Sequence, residues 1–461
     1  MNSATSLAVI VVAVIITAGL LFGYDQGVIS GALAGIEQDL GLGSLLLEVV
    51  TSWVTLGALL GSLAAGVLAD GLGRRKTVLT AALLFILGAF IQAFAPDTLV
   101  LVAGRLVVGI GVGVAAVAAP LYGSEMASAA HRGRLVSAYQ LAITIGIFLA
   151  YLVDGLLASD PAWRLMLGLS AVPGILLALF ALAAPETPRW LVQQGRRDEA
   201  GAILTRLFGR ERSQQELQEI DNLLRSDVQA RWSEVFAPMY RKPLVIALGL
   251  AIFQQITGIN AIIYYADEIF AAAGFTSKEA QATATTWAIG ATNVLATLIA
   301  IAFIDRLGRV PLLLTGLVGM GASLVIVGVA FHLSGDGRGD GPAYAATMTV
   351  VALIVFIISF AFSLGPVVWT VINEIFPSQV RGRGVAVATA VNWGSAFIVS
   401  EFFLSITEAL GRPATFWLLA VFCLLGWVWI WRRVPETKGR SLEEIEQLWR
   451  GDWAAGEIRR A

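Results

Sequence analysis

The 461-residue sequence is poor in charge, in cysteine and in histidine. Only 14% of its residues are charged, whereas soluble domains average about a quarter. A single cysteine, Cys423, excludes a disulfide framework and a cysteine-based zinc site, and two histidines are too few for a histidine metal site. The net charge of −2 gives no indication of a nucleic-acid partner. We therefore expect no metal, no cofactor and no nucleic acid.

Hydrophobic residues, in contrast, make up 57% of the chain, and the mean hydropathy is +0.77. They fall into twelve runs near the length of about 20 residues that a membrane-spanning helix needs. The first run lacks a basic n-region and a cleavage site, which favours a retained span over a signal peptide. The pattern predicts an all-α membrane protein with twelve transmembrane helices. The predicted spans are residues 7–30, 48–69, 77–95, 98–119, 135–157, 164–184, 243–271, 281–304, 310–332, 343–372, 384–408 and 414–432.

Basic residues are distributed unevenly between the two sides of these spans. Four of the 31 Lys and Arg residues lie in loops on the side opposite the N-terminus: Arg164, Lys278, Arg338 and Arg412. Arg105 lies inside a span, and the others are on the side of the termini. The positive-inside rule then places both termini in the cytoplasm of a multi-pass cell (inner) membrane protein.

Three short motifs occur twice, in the same order. DGLGRRK at 70–76 corresponds to DRLGRV at 305–310, GSEMASAAHRGR at 123–134 to NEIFPSQVRGR at 373–383, and PETPRW at 185–190 to PETKGR at 435–440. The offsets are 235, 249 and 250 residues, which indicates a duplicated unit. We predict two six-helix bundles that rock around a central site.

The predicted domains are an N-terminal bundle (1–184), a linker (185–242), a C-terminal bundle (243–432) and a cytoplasmic tail (433–461). The linker has helical periodicity with nearly balanced charge, which predicts short amphipathic helices on the cytoplasmic side. A solvated linker without such helices is the alternative.

These motifs, taken together, closely resemble those of the sugar porters of the major facilitator superfamily. The resemblance runs through nearly the whole chain and includes GYDQGVISGAL, GRLVVGIGVG, QQITGINAIIYY, GPVVWTVINEIFP and PETKGRSLEEIE. It implies the major facilitator fold and transport of a neutral monosaccharide or a related polyol such as inositol. We expect the transporter to be a monomer in the bilayer.

Side-chain amides suit a sugar, because each supplies two donors and an acceptor to hydroxyl groups that would otherwise be buried unpaired. In a continuous seventh helix, Gln254 and Gln255 would be adjoining and Asn260 would lie about 120° from Gln254 in projection. The absence of Lys and Arg from these positions favours a neutral substrate. The alternative is that these amides only form hydrogen bonds between helices. The resemblance assigns sugar binding to Gln140, Gln254, Gln255, Asn260, Asn293, Trp369, Asn392 and Trp393, and a gate to Phe22, Tyr264 and Tyr265.

Asp25 is the only charged residue in a run that continues from Leu7 beyond Gly35. A charge inside a span is costly and is by default a functional-site hypothesis. Arg105 of the fourth span is the obvious partner, and the resemblance makes an aspartate at this position the proton acceptor of a sugar symporter. We therefore predict proton:monosaccharide symport with Asp25 and Arg105 as the coupling pair. The alternatives are a passive facilitator and an ion pair that only braces the bundle.

Arg and Glu residues of the repeated motifs form a predicted cytoplasmic latch of ion pairs between the halves. Simple positive-inside decoration is the alternative for any one of them. An enzyme is disfavoured because GIGVGVA at 109–115 does not complete a nucleotide-binding fingerprint, and a sugar receptor would need a longer signalling extension. The predicted latch residues are Arg74, Arg75, Glu125, Arg132, Arg309, Glu374 and Arg381.

Overall fold

The computed structural model describes residues 3–127, 129–158, 162–226, 232–303, 306–335, 343–377, 379–439 and 444–445. In these residues it has helices and loops and no β-strand. Within the described ranges, twelve helices are long and apolar enough to cross a membrane, as predicted. The spans are Ser6–Leu40, Ser44–Leu72, Arg74–Ala93, Thr98–Met126, Gly133–Leu156, Trp163–Ala183, Pro238–Tyr264, Lys278–Phe303, Arg309–Leu333, Tyr344–Ile375, Arg381–Leu410 and Arg412–Arg433.

Several helices extend beyond the apolar runs that predicted them. The first helix, Ser3–Leu40, continues ten residues past the predicted end at residue 30 through the sequence GALAGIEQDL. The extension keeps a buried apolar side, including Leu33 and Ile36, while Glu37 to Asp39 are exposed. The length of an apolar run therefore underestimates the length of the helix wherever the end of the helix keeps one buried side.

Four spans are interrupted rather than continuous. Pro366 has no N–H to continue the helical hydrogen-bond pattern, and the tenth span is split there. Gly258 has φ +96°, a left-handed conformation that interrupts the seventh span, which was predicted as one helix. The separate segments are Trp163–Leu169 and Ala171–Ala183; Arg241–Ile256, Ile259–Tyr264 and Ala266–Ala272; Lys278–Ala284, the π-helix Thr285–Ala291 and Thr292–Phe303; and Ala343–Phe362 and Pro366–Ile375.

The glycines of the fourth span bring helices close together. A Cβ on Gly109 would lie 2.1 Å from the Val54 carbonyl oxygen of the second span, and one on Gly113 would lie 2.1 Å from that of Ala58. Larger residues would force these helices apart, so the glycine-rich run is a packing surface in this structure.

The predicted linker contains the helices Pro188–Gln193, Arg197–Phe208 and Arg210–Ser226. They enclose a small apolar core that includes Trp190, Leu191 and Ala200. This core explains how a polar insert forms ordered helices.

The chain divides into two compact units that differ from the predicted domains. The first comprises Met1–Asp25, Trp53–Gly146 and Leu167–Ala230, and the second Gln26–Ser52, Ile147–Met166 and Arg231–Ala461. Parts of the first, second and fifth helices thus group with the C-terminal half of the sequence. The domain boundaries at 184 and 243 remain a prediction.

Candidate functional site

The interruption of the seventh span shapes the candidate sugar site. Gln254 and Gln255 lie at the end of the helix Arg241–Ile256, and Asn260 lies in the next short helix, Ile259–Tyr264. A Cβ on Gly258 would lie 2.8 Å from Leu419 Cδ1, so the turn is also closely packed. The projection along one continuous helix was therefore wrong, and a glycine turn positions Asn260 instead.

Four of the predicted amides form one hydrogen-bonded cluster in the second unit. Asn392 Nδ2 donates to Gln254 Oε1 at 2.6 Å and to the Ala251 carbonyl at 3.0 Å. Gln255 Nε2 donates to Asn392 Oδ1 at 3.2 Å, and Asn260 Nδ2 donates to Gln255 Oε1 at 2.9 Å. The four side chains, which are between 4% and 8% exposed, satisfy one another away from solvent.

Gln254 also binds the backbone where the tenth span is interrupted. Its Nε2 donates to the carbonyl of Leu364 at 2.8 Å, just before Pro366. Helix interruptions in a membrane are stable only where such freed carbonyls find donors. The cluster therefore stabilises the interruption of the tenth span and also places polar groups near it.

The second unit also contains the predicted binding residues Asn293, Trp369 and Trp393. Asn293 is buried on the segment Thr292–Phe303, directly after a π-helix, a feature that often marks functional positions. Trp369 is half-buried on Pro366–Ile375, and Trp393 is buried beside Asn392.

Gln140 and Phe22 belong to the first unit, and both are half-buried. The two gate tyrosines belong to the second unit and are almost fully buried. Tyr265 donates to the Ser400 carbonyl at 2.9 Å, and its ring stacks on Phe403 with centroids 5.2 Å apart. Tyr265 is thus held against the eleventh span in this conformation.

Sequence reasoning missed Gln26. Its Nε2 donates to Asn260 Oδ1 at 3.4 Å, which adds the first helix to the amide cluster. Gln26 directly follows Asp25 and is a neutral amide of the same type as the predicted ligands. An intramembrane amide in the same motif was the available signal.

Asp25 and Arg105 form a buried ion pair in the first unit. Arg105 Nη1 lies 2.9 Å from Asp25 Oδ1, and the residues are 0% and 3% exposed. An unpaired charge at this depth would be very costly, so the ion pair offsets part of the cost of burying the two charges. The structure thus brings together the two residues predicted for proton coupling.

The latch residues form one network in each half. In the first, Arg74 Nη2 lies 3.1 Å from Glu125 Oε1, and the Thr187 hydroxyl donates to Glu125 Oε2 at 2.6 Å. Glu186 accepts from the backbone N–H of Arg75 at 3.0 Å. Arg75 itself donates to the last carbonyls of the helix Ala171–Ala183, where a cation is favoured.

The second half repeats this arrangement. Arg309 Nη2 lies 3.2 Å from Glu374 Oε1, and the Thr437 hydroxyl donates to Glu374 Oε2 at 2.5 Å. Glu436 accepts from the backbone N–H groups of Arg309 and Val310 at 2.9 and 3.0 Å. The third repeated motif therefore supplies partners that sequence reasoning did not include.

Each latch ion pair lies within its own half of the sequence and here joins helices of that half. The predicted ion pairs instead connected the two halves. Arg381 Nε donates to the Phe376 carbonyl at 3.1 Å. The side chain of Arg132 lies outside the part of the chain that the structure describes.

Glu401, on the eleventh span, has a hydrogen-bond partner on the second span. The Ser52 hydroxyl of the second span donates to Glu401 Oε2. Four residues along each helix, Ser405 donates from its backbone N–H and hydroxyl to Glu48 at 2.7 and 2.5 Å. Two Glu–Ser contacts thus join the second and eleventh spans.

The chain is similar to known transporters over nearly its whole length. Residues 11–449 match the family described as Sugar (and other) transporter. The chain is 40% identical over 437 residues to the galactose-proton symporter of Escherichia coli K12, covering 93% of this chain and 92% of that protein. It is 36% identical over 439 residues to the arabinose-proton symporter of Bacillus subtilis, covering 94% and 92%.

The fold has a similar solved counterpart. The proton:xylose symporter XylE bound to 6-bromo-6-deoxy-D-glucose superposes with a TM-score of 0.80 at 30% identity, covering 97% of this chain and 100% of that chain. Family membership makes the chain a transporter rather than an enzyme. The chain belongs to the sugar porter family of the major facilitator superfamily.

Proposed function

We propose that the protein is a proton:monosaccharide symporter that works by alternating access. The observation that carries the proposal is the buried Asp25–Arg105 ion pair, directly followed along the first helix by an amide of the candidate sugar site. Relatives named as symporters of galactose and arabinose with protons support this assignment.

The amide cluster suits a neutral sugar. Its four predicted members, Gln254, Gln255, Asn260 and Asn392, carry no charge and already have mutual hydrogen bonds. A sugar hydroxyl that replaces one of these partners both donates and accepts, so the exchange keeps the buried groups paired. A phosphorylated or carboxylated substrate would instead need a cation to replace its hydration.

Asp25 is proposed to couple the proton to this exchange. Protonation removes the negative charge that Arg105 stabilises, which changes the balance between conformations and, by linkage, the affinity for sugar. Asp25 and Gln26 are consecutive in one helix. A movement of the helix at Asp25 therefore moves the Gln26 side chain as well. One proton moving through 100 mV supplies about 2.3 kcal/mol, which corresponds to roughly fifty-fold accumulation of sugar.

The proposed setting is the cell membrane, with both termini in the cytoplasm and a monomeric transporter. Residues 1–184 and 243–432 are the proposed bundles, joined by the linker 185–242. Gln140 is proposed to bind the sugar, like the amides of the second unit. Phe22 is proposed to form part of the gate, like Tyr264 and Tyr265. The runner-up is a passive facilitator for a sugar or a cyclic polyol.

Uptake by proteoliposomes tests the proposal. A panel of radiolabelled hexoses, pentoses and inositol is offered with and without an imposed pH gradient. We expect the gradient to drive accumulation of at least one sugar in the wild type. Asp25→Asn should retain sugar counterflow, which needs no net proton movement, and should lose accumulation. Accumulation that is unchanged in Asp25→Asn would exclude Asp25 as the coupling group, and the same extent of uptake with and without the gradient would favour the facilitator.

A further inference from the structure

A second buried carboxylate, Asp154, has no part in the mechanism above. It lies on the helix Ala129–Leu156 and is 3% exposed. Its Oδ2 accepts from the backbone N–H of Gly31 at 3.2 Å, whereas its buried Oδ1 has no hydrogen-bond partner in the part of the protein that the structure describes. Asp25 has a guanidinium at 2.9 Å, and Asp154 has no such partner among the described residues.

Asp154 lines a small cavity within the second unit. The cavity has a volume of about 50 Å³, and Ser30, Gly31, Ala34 and Gln281 also line it. This is room for only a few water molecules, which the polar lining could bind. A Cβ on Gly31 would lie 2.4 Å from Asp154 Cβ, so the carboxylate is packed directly against the first helix.

The groups around this cavity are mainly acidic. Asp267 and Glu268, on the segment Ala266–Ala272, line it and are partly exposed, and Lys278 lines it with an exposed side chain. The carboxylate of Asp267 accepts from the Thr285 hydroxyl, and its backbone N–H donates to Ser30 Oγ at 3.1 Å. Asp267 and Glu268 therefore add negative charge near Asp154.

Two further ionisable groups lie near the cavity. On the helix that carries Asp154, the Tyr151 hydroxyl donates to the Ile263 carbonyl at 2.8 Å, so its proton is already engaged. On the first helix, Glu37 follows Gly31 by six residues and is exposed. Neither group supplies a positive charge to Asp154.

We propose that Asp154 is a second proton-binding site, distinct from Asp25. Burying an ionised carboxylate without a cation in contact with it is strongly unfavourable, and protonation removes that cost. The side chain therefore carries a proton while the outer segment of the first helix packs against the fifth helix and the segment Ala266–Ala272. When this packing opens, water reaches the carboxylate and the proton leaves. A low pH on the side of the membrane to which this packing opens thus stabilises the closed packing, independently of the role proposed for Asp25.

A cysteine reporter measures this opening. Cys423 is the only native cysteine and is buried, so it is replaced by serine, and Ala34, which is partly exposed at the cavity, becomes the single cysteine. The rate of maleimide labelling of A34C is followed in detergent from about pH 5 to about pH 8. Because the thiolate is the reactive species, each rate is divided by that of A34C combined with Asp154→Asn, which carries the same thiol and a neutral isostere.

We expect this ratio to be near one at acidic pH and to rise with pH by up to about tenfold per pH unit, the limit for one linked proton. Asp39→Asn is the matched control, since Asp39 is an exposed carboxylate of the same unit paired with Arg164, and it should leave the rise unchanged. A ratio that stays constant across the pH range would overturn the proposal, because Asp154 would then be ionised and hydrated by cavity water.

Two further variants keep the test interpretable. The rise should persist in an Asp25→Asn background, and its loss there would assign the pH effect to Asp25 and overturn a separate site. Sugar counterflow checks that Asp154→Asn folds, and Asp154→Ser replaces it if counterflow is lost, because serine also lacks the charge.

Discussion

The ion pair between Asp25 and Arg105 predicts strong coupling between substitutions at these two positions. Arg105→Leu leaves a carboxylate at 3% exposure without this guanidinium, and Asp25→Asn removes the negative charge that faces a guanidinium at 0% exposure. In the double variant both charges are absent. The double variant should therefore be more stable than the sum of the two single effects indicates.

The magnitude follows from the burial of the pair. Removing one partner of a buried ion pair costs about 3–5 kcal/mol, much of which is the uncompensated charge that remains. Since Asn keeps a dipole that can face Arg105, Asp25→Asn should cost less than Arg105→Leu. Because the double variant lacks the uncompensated charge of either single variant, we expect an interaction free energy of about 3 kcal/mol, at the upper end of the range for residues in contact.

Thermal unfolding of the four purified proteins in the same detergent measures this coupling. In a chain of this length 1 kcal/mol moves the apparent Tm by about 2 °C or less, so the predicted coupling corresponds to several degrees. Sugar counterflow in liposomes, measured in parallel, reports whether each variant folds. Additive shifts in Tm would contradict the pairing of Asp25 with Arg105, and with it the physical basis of the coupling proposal.

Two further predictions concern the sugar site. Gln26→Leu removes the amide that contacts Asn260 and should raise the KM for sugar by roughly fivefold, since one hydrogen bond contributes about 1 kcal/mol; an unchanged KM would show that Gln26 is outside the site. Gly258→Ala places a Cβ 2.8 Å from Leu419 at φ +96° and should weaken sugar binding and lower the apparent Tm by more than Gly274→Ala, which has φ +105° and open space. Equal effects of the two glycine substitutions would mean that φ alone, and not the packing of the turn, matters.

The polar residues of the sugar site were largely predictable. Amides are rare in apolar spans and costly when unpaired, so Gln254, Gln255, Asn260 and Asn392 stood out in the sequence, and the structure joins them by hydrogen bonds. Their role in sugar binding stays a prediction. The route by which Asn260 reaches Gln255 was not predictable from helical periodicity, because it depends on a left-handed glycine.

Partners across long sequence distances were harder to predict. Glu401 and Ser52 are 349 residues apart, and neither local sequence indicates the other. The unpaired oxygen of Asp154 is equally invisible, since the sequence shows an acidic residue near a helix end, where an exposed carboxylate is the ordinary interpretation. Its burial, and the lack of an ion pair among the described residues, depend on helices that pack from elsewhere in the chain.

The sequence by itself determined that this is a membrane protein of twelve helices, because hydrophobic length and scarce charge suffice to select the bilayer as solvent. It also determined the duplication and the family, since both are recognised from short motifs that can be read directly along the chain. Only the tertiary structure decided which charges are paired, that the latch ion pairs lie within each half, and which parts of the first, second and fifth helices group with the C-terminal half. These outcomes depend on distances of a few ångströms between helices, and a pattern along one chain does not contain such distances.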